Sequence, residues 1–193
     1  MKPAPVTAKG RRSRDAIVEA AARLMHDRGI AATSLDDVLT ASDTGKSQLY
    51  HYFDDKQDLT VAVLHLQFER VLAAQPCLRD PACHDLGRWR DEVLLAHRVH
   101  QFGNCPLGVF AGQVDDSPVL RGELRALFDQ WRQAIGELAG RALRHGRVRA
   151  DVDPAGAGLV LLSALQGGTM LSHLHGDGEP LTRALNGAIA QLT

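Results

Sequence analysis

Residues 33–53 constrain the fold more than any other stretch. Leu35, Val38, Leu39 and Ala41 recur at helical spacing, behind Thr33 and Ser34, either of which can cap a helix with its side-chain oxygen. Residues 46–53 give two more helical turns, with Leu49, Tyr52 and Phe53 clustered on one side at 100° per residue. Between them stands Ser42-Asp43-Thr44-Gly45, a polar break too short to be a linker. Two short helices joined so tightly must cross steeply, which is the layout of a helix-turn-helix whose second helix enters the DNA major groove. Lys46, Ser47 and Tyr50 point away from the apolar side and Gln48 lies on its flank, a polar set able to reach base edges or phosphates. Lys56, opening the next helix after Asp54-Asp55, adds a cation where backbone amides also attract an anion.

The flanking sequence extends the helical pattern. Ser13 can cap a first helix with Ile17, Ala21, Leu24 and Met25 on one face and Gly29 as its stop, and residues 56–75 carry Leu59, Val63, Leu66 and Val71 up to Pro76. Further helices are expected at 86–102, 107–114, 118–145, 154–173 and 180–192. Period-two runs of β-branched and aromatic residues are scarce, so the fold class is all-α: a small helix-turn-helix head and a larger helical body. With 193 residues, 45% hydrophobic and 23% charged, the chain can bury a core of that size. The expected division is a basic N-terminal arm at 1–12, the head at 13–60 and the body at 61–193.

A formal net charge of −1 gives no general support for nucleic-acid binding, so that case rests on where charge sits. Lys2, Lys9, Arg11, Arg12 and Arg14 precede the first acid, Asp15, on an arm that Pro3, Pro5 and Gly10 should keep irregular. No apolar signal core follows those charges, and the most apolar run, 157–174, is interrupted by Ser163, Gln166, Gly167, Gly168 and Ser172. A cytoplasmic protein without a membrane partner is the expectation. Cys77, Cys83 and Cys105 are odd in number and irregularly spaced, which predicts reduced thiols.

The segment T-S-L-D-D-V-L-T-A-S-D-T-G-K-S-Q-L-Y-H-Y-F-D-D-K-Q-D-L at 33–59 closely resembles the DNA-binding head of TetR-family transcriptional regulators, with the helix ending in Gly29 at the expected distance before it. The resemblance implies that Lys46, Ser47, Gln48 and Tyr50 face bases, that Thr33, Ser34, Tyr52 and Lys56 hold phosphates, and that His51 flanks the contact. Asp43 departs from the glycine usual in the family's turn, and Asp enters the left-handed region at a cost on the order of 1 kcal/mol relative to Gly. In the body, C-P-L-G-V-F-A at 105–111 and L-Q-G-G-T-M-L at 165–171 resemble the LmrA/YxaF-type subgroup. That likeness implies dimerisation through the last two long helices and an apolar effector cavity. It implies neither a cofactor nor catalytic residues.

Other motifs are weaker. Gly45-Lys46-Ser47 imitates the end of a phosphate-binding loop, but the required earlier glycine would fall at Thr40 and no strand precedes it. His97 with His100, and His173 with His175, lack a third metal ligand at diagnostic spacing. Phe102, Phe110, Trp131 and Met170, with Gln113 and Gln166 as polar handles, are the candidate effector-binding residues. The expected function is a homodimeric repressor released from operator DNA by a small apolar or aromatic effector. The competing reading is a regulator that answers to metal or redox state through its cysteines; an enzyme would need an activated nucleophile or metal set that the sequence does not offer.

Overall fold

The computed structural model describes residues 7–101 and 103–193, which are 73% helical and contain no strand. In order, the described helices are α1 (Ala8–Arg28), α2 (Leu35–Ser42), α3 (Lys46–Tyr52), α4 (Lys56–Ala73), α5 (Pro76–Arg79), α6 (Leu86–Val99), α7 (Pro118–Arg144), α8 (Pro154–His175) and α9 (Glu179–Ala190), with a 3₁₀ turn at Gly108–Phe110. The chain divides into two compact units: residues up to 69 with 109–125, and residues 70–108 with 126–193.

In the first unit α1 starts earlier than expected. Thr7, not Ser13, is the cap, its Oγ1 accepting the Gly10 N–H at 3.0 Å, so Lys9, Gly10, Arg11 and Arg12 are helical and no irregular arm occupies those positions. Lys and Arg are good helix formers and outweigh one interior glycine. Lys2, Pro3 and Pro5 lie outside the described residues. The helix stops at Gly29, whose φ of 88° favours a residue without a Cβ. Ile17, Ala20, Ala21 and Met25 of α1, Val38 of α2, Leu49 of α3 and Leu59 and Val63 of α4 are buried, forming the head core.

Residues 109–125, far away in sequence, belong to the same unit. The expected helix at 107–114 is only the short 3₁₀ turn: Pro106, Gly108 and Gly112 deprive it of helix-forming residues, and Gln113 Nε2 donates to Val109 O at 2.9 Å. Gln113 Oε1 accepts the Ile30 N–H at 2.7 Å, Ser117 Oγ donates to Gln57 Oε1 at 2.9 Å, and Glu123 Oε1 lies 2.6 Å from His65 Nε2.

In the second unit Pro76 does more than stop α4. At the first position of α5 its missing N–H needs no partner, so it opens a further short helix. Gln75, just before it, is buried, its Oε1 accepting the indole N–H of Trp89 at 2.8 Å and of Trp131 at 3.3 Å while its Nε2 donates to Val71 O at 3.0 Å. Residues 126–144 of α7 pack against α8, and α8 against α9, at very close range. A Cβ on Gly158 would lie 2.5 Å from Arg132 O, and one on Gly168 2.8 Å from Leu181 Cα, so neither site admits a side chain without parting the helices. The expectation of reduced thiols is corrected for two cysteines: Cys77 and Cys83, 5.4 Å apart at Cα, are joined as a disulfide, and Cys105 is free and buried. Irregular sequence spacing concealed a pair that the turn after α5 brings together.

Candidate nucleic-acid interface

The geometry of the helix-turn-helix is set locally. Ser34 caps α2 through a capping box: its Oγ accepts the Asp37 N–H at 3.1 Å, and Asp37 Oδ2 accepts the Ser34 N–H at 2.9 Å and hydroxyl at 2.7 Å. These bonds from Ser34, side chain first, hold the Asp37 carboxyl below its usual range. Asp43 then takes the left-handed conformation, φ 51° and ψ 42°, as the departure from glycine requires, and its N–H closes α2 on the carbonyls of Leu39 and Thr40. Ser42 Oγ and Thr44 Oγ1 share a hydrogen bond of 2.7 Å across the turn. Gly45 delivers the chain into α3, where Leu49 and Tyr52 are buried and the next residue, Phe53, is fully buried, with the Arg14 guanidinium 5.3 Å from its ring centre.

The structure brings Lys46, Ser47, Gln48, Tyr50 and His51 together on the exposed side of α3, with Tyr50 44% exposed. Ser34 stands exposed at the N-terminus of α2, and Lys56 is half-buried, its Nζ donating to Ala31 O at 3.3 Å. Thr33 is a correction. Its side chain is buried and its hydroxyl donates to Gly29 O at 2.8 Å, so it braces the end of α1 and has no exposed oxygen to offer a phosphate. Tyr52 is also buried, its ring edge-on to His51. Lys9, Arg11 and Arg12 are exposed on the first turns of α1 and extend the basic character of this unit.

A helix-turn-helix with a polar outer face carrying Lys46 on its second helix, built on a core drawn from α1 to α4, is a device for reading duplex DNA. Two family models match the chain: "Bacterial regulatory proteins, tetR family" over residues 17–63 and "Tetracyclin repressor-like, C-terminal domain" over residues 86–188. The chain belongs to the TetR family. It is a DNA-binding transcriptional regulator of that family. It is 23% identical over 176 residues to the HTH-type transcriptional repressor DhaR of Mycobacterium sp. (strain GP1), covering 89% of this chain and 88% of that protein. It is 24% identical over 187 residues to the repressor NemR of Escherichia coli K12, covering 90% of each. Among solved structures, the regulatory protein TetR from Rhodobacter sphaeroides superposes with a TM-score of 0.81 at 20% identity, over 94% of this chain and 99% of that one. The reduced form of E. coli NemR does so with a TM-score of 0.79 at 19% identity, over 94% and 97%.

The six residues read as effector-binding in this TetR-family chain stand in different local environments. Phe110 is buried and Gln113 has both ends of its amide engaged, and both belong to the first unit. In the second unit Trp131 is buried against Gln75, Gln166 Nε2 lies 3.6 Å from the Cys105 thiol, and Met170 is 56% exposed. Phe102 lies outside the described residues. Sequence reasoning missed a neighbouring polar contact, His97 Nε2 with Thr169 Oγ1 at 3.0 Å, which ties α6 to α8. Burial of His97 lowers its pKa against the opposing effect of the Val93 carbonyl. A cleft of about 440 Å³ lies in the first unit between α1 and α4, with Val18 and Ala62 at its floor and Arg14, His65 and Glu69 among its charged lining.

Proposed function

We propose that the chain is a homodimeric, cytoplasmic repressor whose hold on operator DNA weakens when a small apolar or aromatic molecule enters the body. The observation that carries the dimer is one face of α8. Leu159, Val160, Met170, Leu171 and Leu174 are each 44–72% exposed along a helix whose other face packs within its own unit. Five large apolar side chains at helical spacing favour a partner over water, and by length and composition alone α8 could also cross a membrane. Its Gly168 and Ser172 are buried against α9, with Ser172 Oγ accepting the Leu181 N–H at 3.0 Å, which supports a packed hairpin over a lipid span. A two-fold axis along the exposed face would join two α8–α9 hairpins as a four-helix bundle and present two α3 helices to a palindromic site.

The proposed base-reading residues are Lys46, Ser47, Gln48 and Tyr50, with Ser34, the Tyr52 hydroxyl and Lys56 toward phosphates and His51 beside them. Release follows from a population shift. An effector that binds one spacing of the two heads better than the other moves the dimer away from the major-groove repeat of about 34 Å. Phe102, Phe110, Gln113, Trp131, Gln166 and Met170 remain the proposed effector contacts, and the LmrA/YxaF-type subgroup is proposed on the 105–111 and 165–171 segments. Sedimentation equilibrium with and without operator duplex tests the reading: a dimer that binds one duplex supports it, and a 20.9 kDa monomer that binds operator undisturbed overturns it.

A further inference from the structure

The Cys77–Cys83 pair, the Arg141 side chain and the buried Gln75 amide meet in the second unit, and the operator-binding reading uses none of them. Arg141 Nε donates to Cys83 O at 2.7 Å and its Nη2 to Cys77 O at 3.1 Å, so one guanidinium spans both cysteines. Cys83 N–H also donates to Asp80 O at 3.0 Å and Ala82 N–H to Asp80 Oδ1 at 2.9 Å. The turn is thus held by bonds that do not involve sulfur, at a Cα separation of 5.4 Å that suits a disulfide.

We propose that Cys77 and Cys83 form a reversible dithiol–disulfide site, oxidised by hydroperoxides and reduced by low-molecular-weight thiols, whose state is felt at the end of α4 through Gln75. The two sulfurs have different roles. Cys83 is the more accessible, 4% exposed against 0% for Cys77, so it meets the peroxide first, while Arg141 holds the Cys77 and Cys83 carbonyls and with them the turn that keeps the pair together. Cys77 is held in place from two sides, with Asp85 O 3.7 Å from its sulfur and the Glu92 carboxylate accepting its N–H at 2.9 Å, and it serves as the resolving thiol. The Cys83 thiolate attacks a hydroperoxide oxygen, the O–O bond breaks, and the released alkoxide or hydroxide takes a proton, leaving a sulfenic acid. The Cys77 sulfur then attacks that sulfenic sulfur; the S–S bond forms, the S–O bond breaks, and hydroxide leaves with the Cys77 proton as water. In sum two thiols and one hydroperoxide give a disulfide, an alcohol or water, and a water. Reduction is two thiol–disulfide exchanges with an external thiol, which leaves as its own disulfide.

The sulfurs sit about 2 Å apart when bonded and must part to van der Waals contact when reduced. Cys77 is two residues from Gln75, which joins Trp89, Trp131 and the last turn of α4, so that displacement reaches both indoles. Cys105 takes no part, because burial pushes its thiol pKa up.

The test uses the full chain, treated with hydrogen peroxide and then dithiothreitol. Iodoacetamide labelling with peptide mass spectrometry should show Cys77 and Cys83 lost together on oxidation and recovered together on reduction. Tryptophan emission should shift between the two states in the native protein and not in Cys83→Ser, whose unchanged far-ultraviolet dichroism would show that it folds. Arg141→Gln should slow peroxide oxidation at least fivefold. Thiols that stay alkylatable under peroxide, a disulfide that dithiothreitol does not open, or identical emission in both states would overturn the site. Operator affinity, which alone rests on the regulator reading, should differ at least threefold between the two states. A smaller difference overturns the coupling to α4, and absence of operator binding in both states strikes the regulator reading while thiol count and emission still decide the site.

Discussion

Leu49 and Tyr50 are neighbours on α3 with opposite environments, 0% and 44% exposed, so truncating each to alanine separates folding from DNA reading. Leu49→Ala removes three buried carbons from the head core. At about 0.8 kcal/mol per buried methylene the transfer loss is roughly 2.4 kcal/mol, and the cavity left behind brings the cost to about 2–5 kcal/mol. For a chain of this size each kcal/mol lowers Tm by about 2–4 °C, so a drop of about 4–20 °C is expected. Tyr50→Ala lies on the surface, where substitutions change stability by about 0.5 kcal/mol or less, and its melt should stay within about 2 °C of the native protein. Its operator affinity should fall at least about tenfold, because a specific base contact is worth about 1–3 kcal/mol and a dimer makes it twice. Circular dichroism melts beside fluorescence-anisotropy titrations give both numbers. A Tyr50→Ala protein that melts far lower yet binds, or a Leu49→Ala protein that melts normally, would refute the assignment of the α3 faces.

Ser34→Ala deletes the α2 cap and should cost about 1 kcal/mol of stability by urea denaturation; an unchanged midpoint would show that the box carries no energy. The depressed pKa of His97 means that the folded chain resists a proton which the unfolded chain accepts below about 6.5. Stability attributable to His97 is therefore whole above that pH and falls as pH drops below it, so Tm should decline more between pH 7.5 and 5.5 in the native protein than in His97→Gln. Equal declines would contradict it. Leu171→Glu with Leu174→Lys should convert the dimer to monomer in sedimentation equilibrium while dichroism stays helical; a persistent dimer would move the interface elsewhere. The logarithm of operator affinity should fall linearly with the logarithm of salt concentration, and Lys56→Ala should flatten that slope by roughly one phosphate contact.

The parts of the molecule legible in the sequence are those that local chemistry decides. Ser34, Asp43 and Gly45 mark the helix-turn-helix because capping and left-handed turns depend on residues within four positions, and the exposure of Lys46, Ser47 and Tyr50 follows from helical spacing around Leu49. Where long-range contacts decide, the pattern was silent. The Thr33 hydroxyl looks free until the end of α1 supplies Gly29 O, and Gln113 looks like a ligand handle until Ile30, 83 residues earlier, occupies it. Cys77 and Cys83 look unpaired because the turn that brings them together, braced by Arg141 from 58 residues beyond Cys83, does not show in their spacing. The early start of α1 was hidden by Gly10, a poor helix former whose cost the Thr7 cap offsets.

The central claim, a two-fold regulator reading DNA through α3, is tested most directly by selecting from a randomised duplex library with the purified chain and sequencing what it retains. The account predicts enrichment of an inverted repeat whose half-sites lie about one helical turn, or a multiple of it, apart, lost when Lys46, Gln48 and Tyr50 are replaced by alanine in a protein that still folds. No enrichment over the input, or the same repeat enriched by the triple variant, would contradict it.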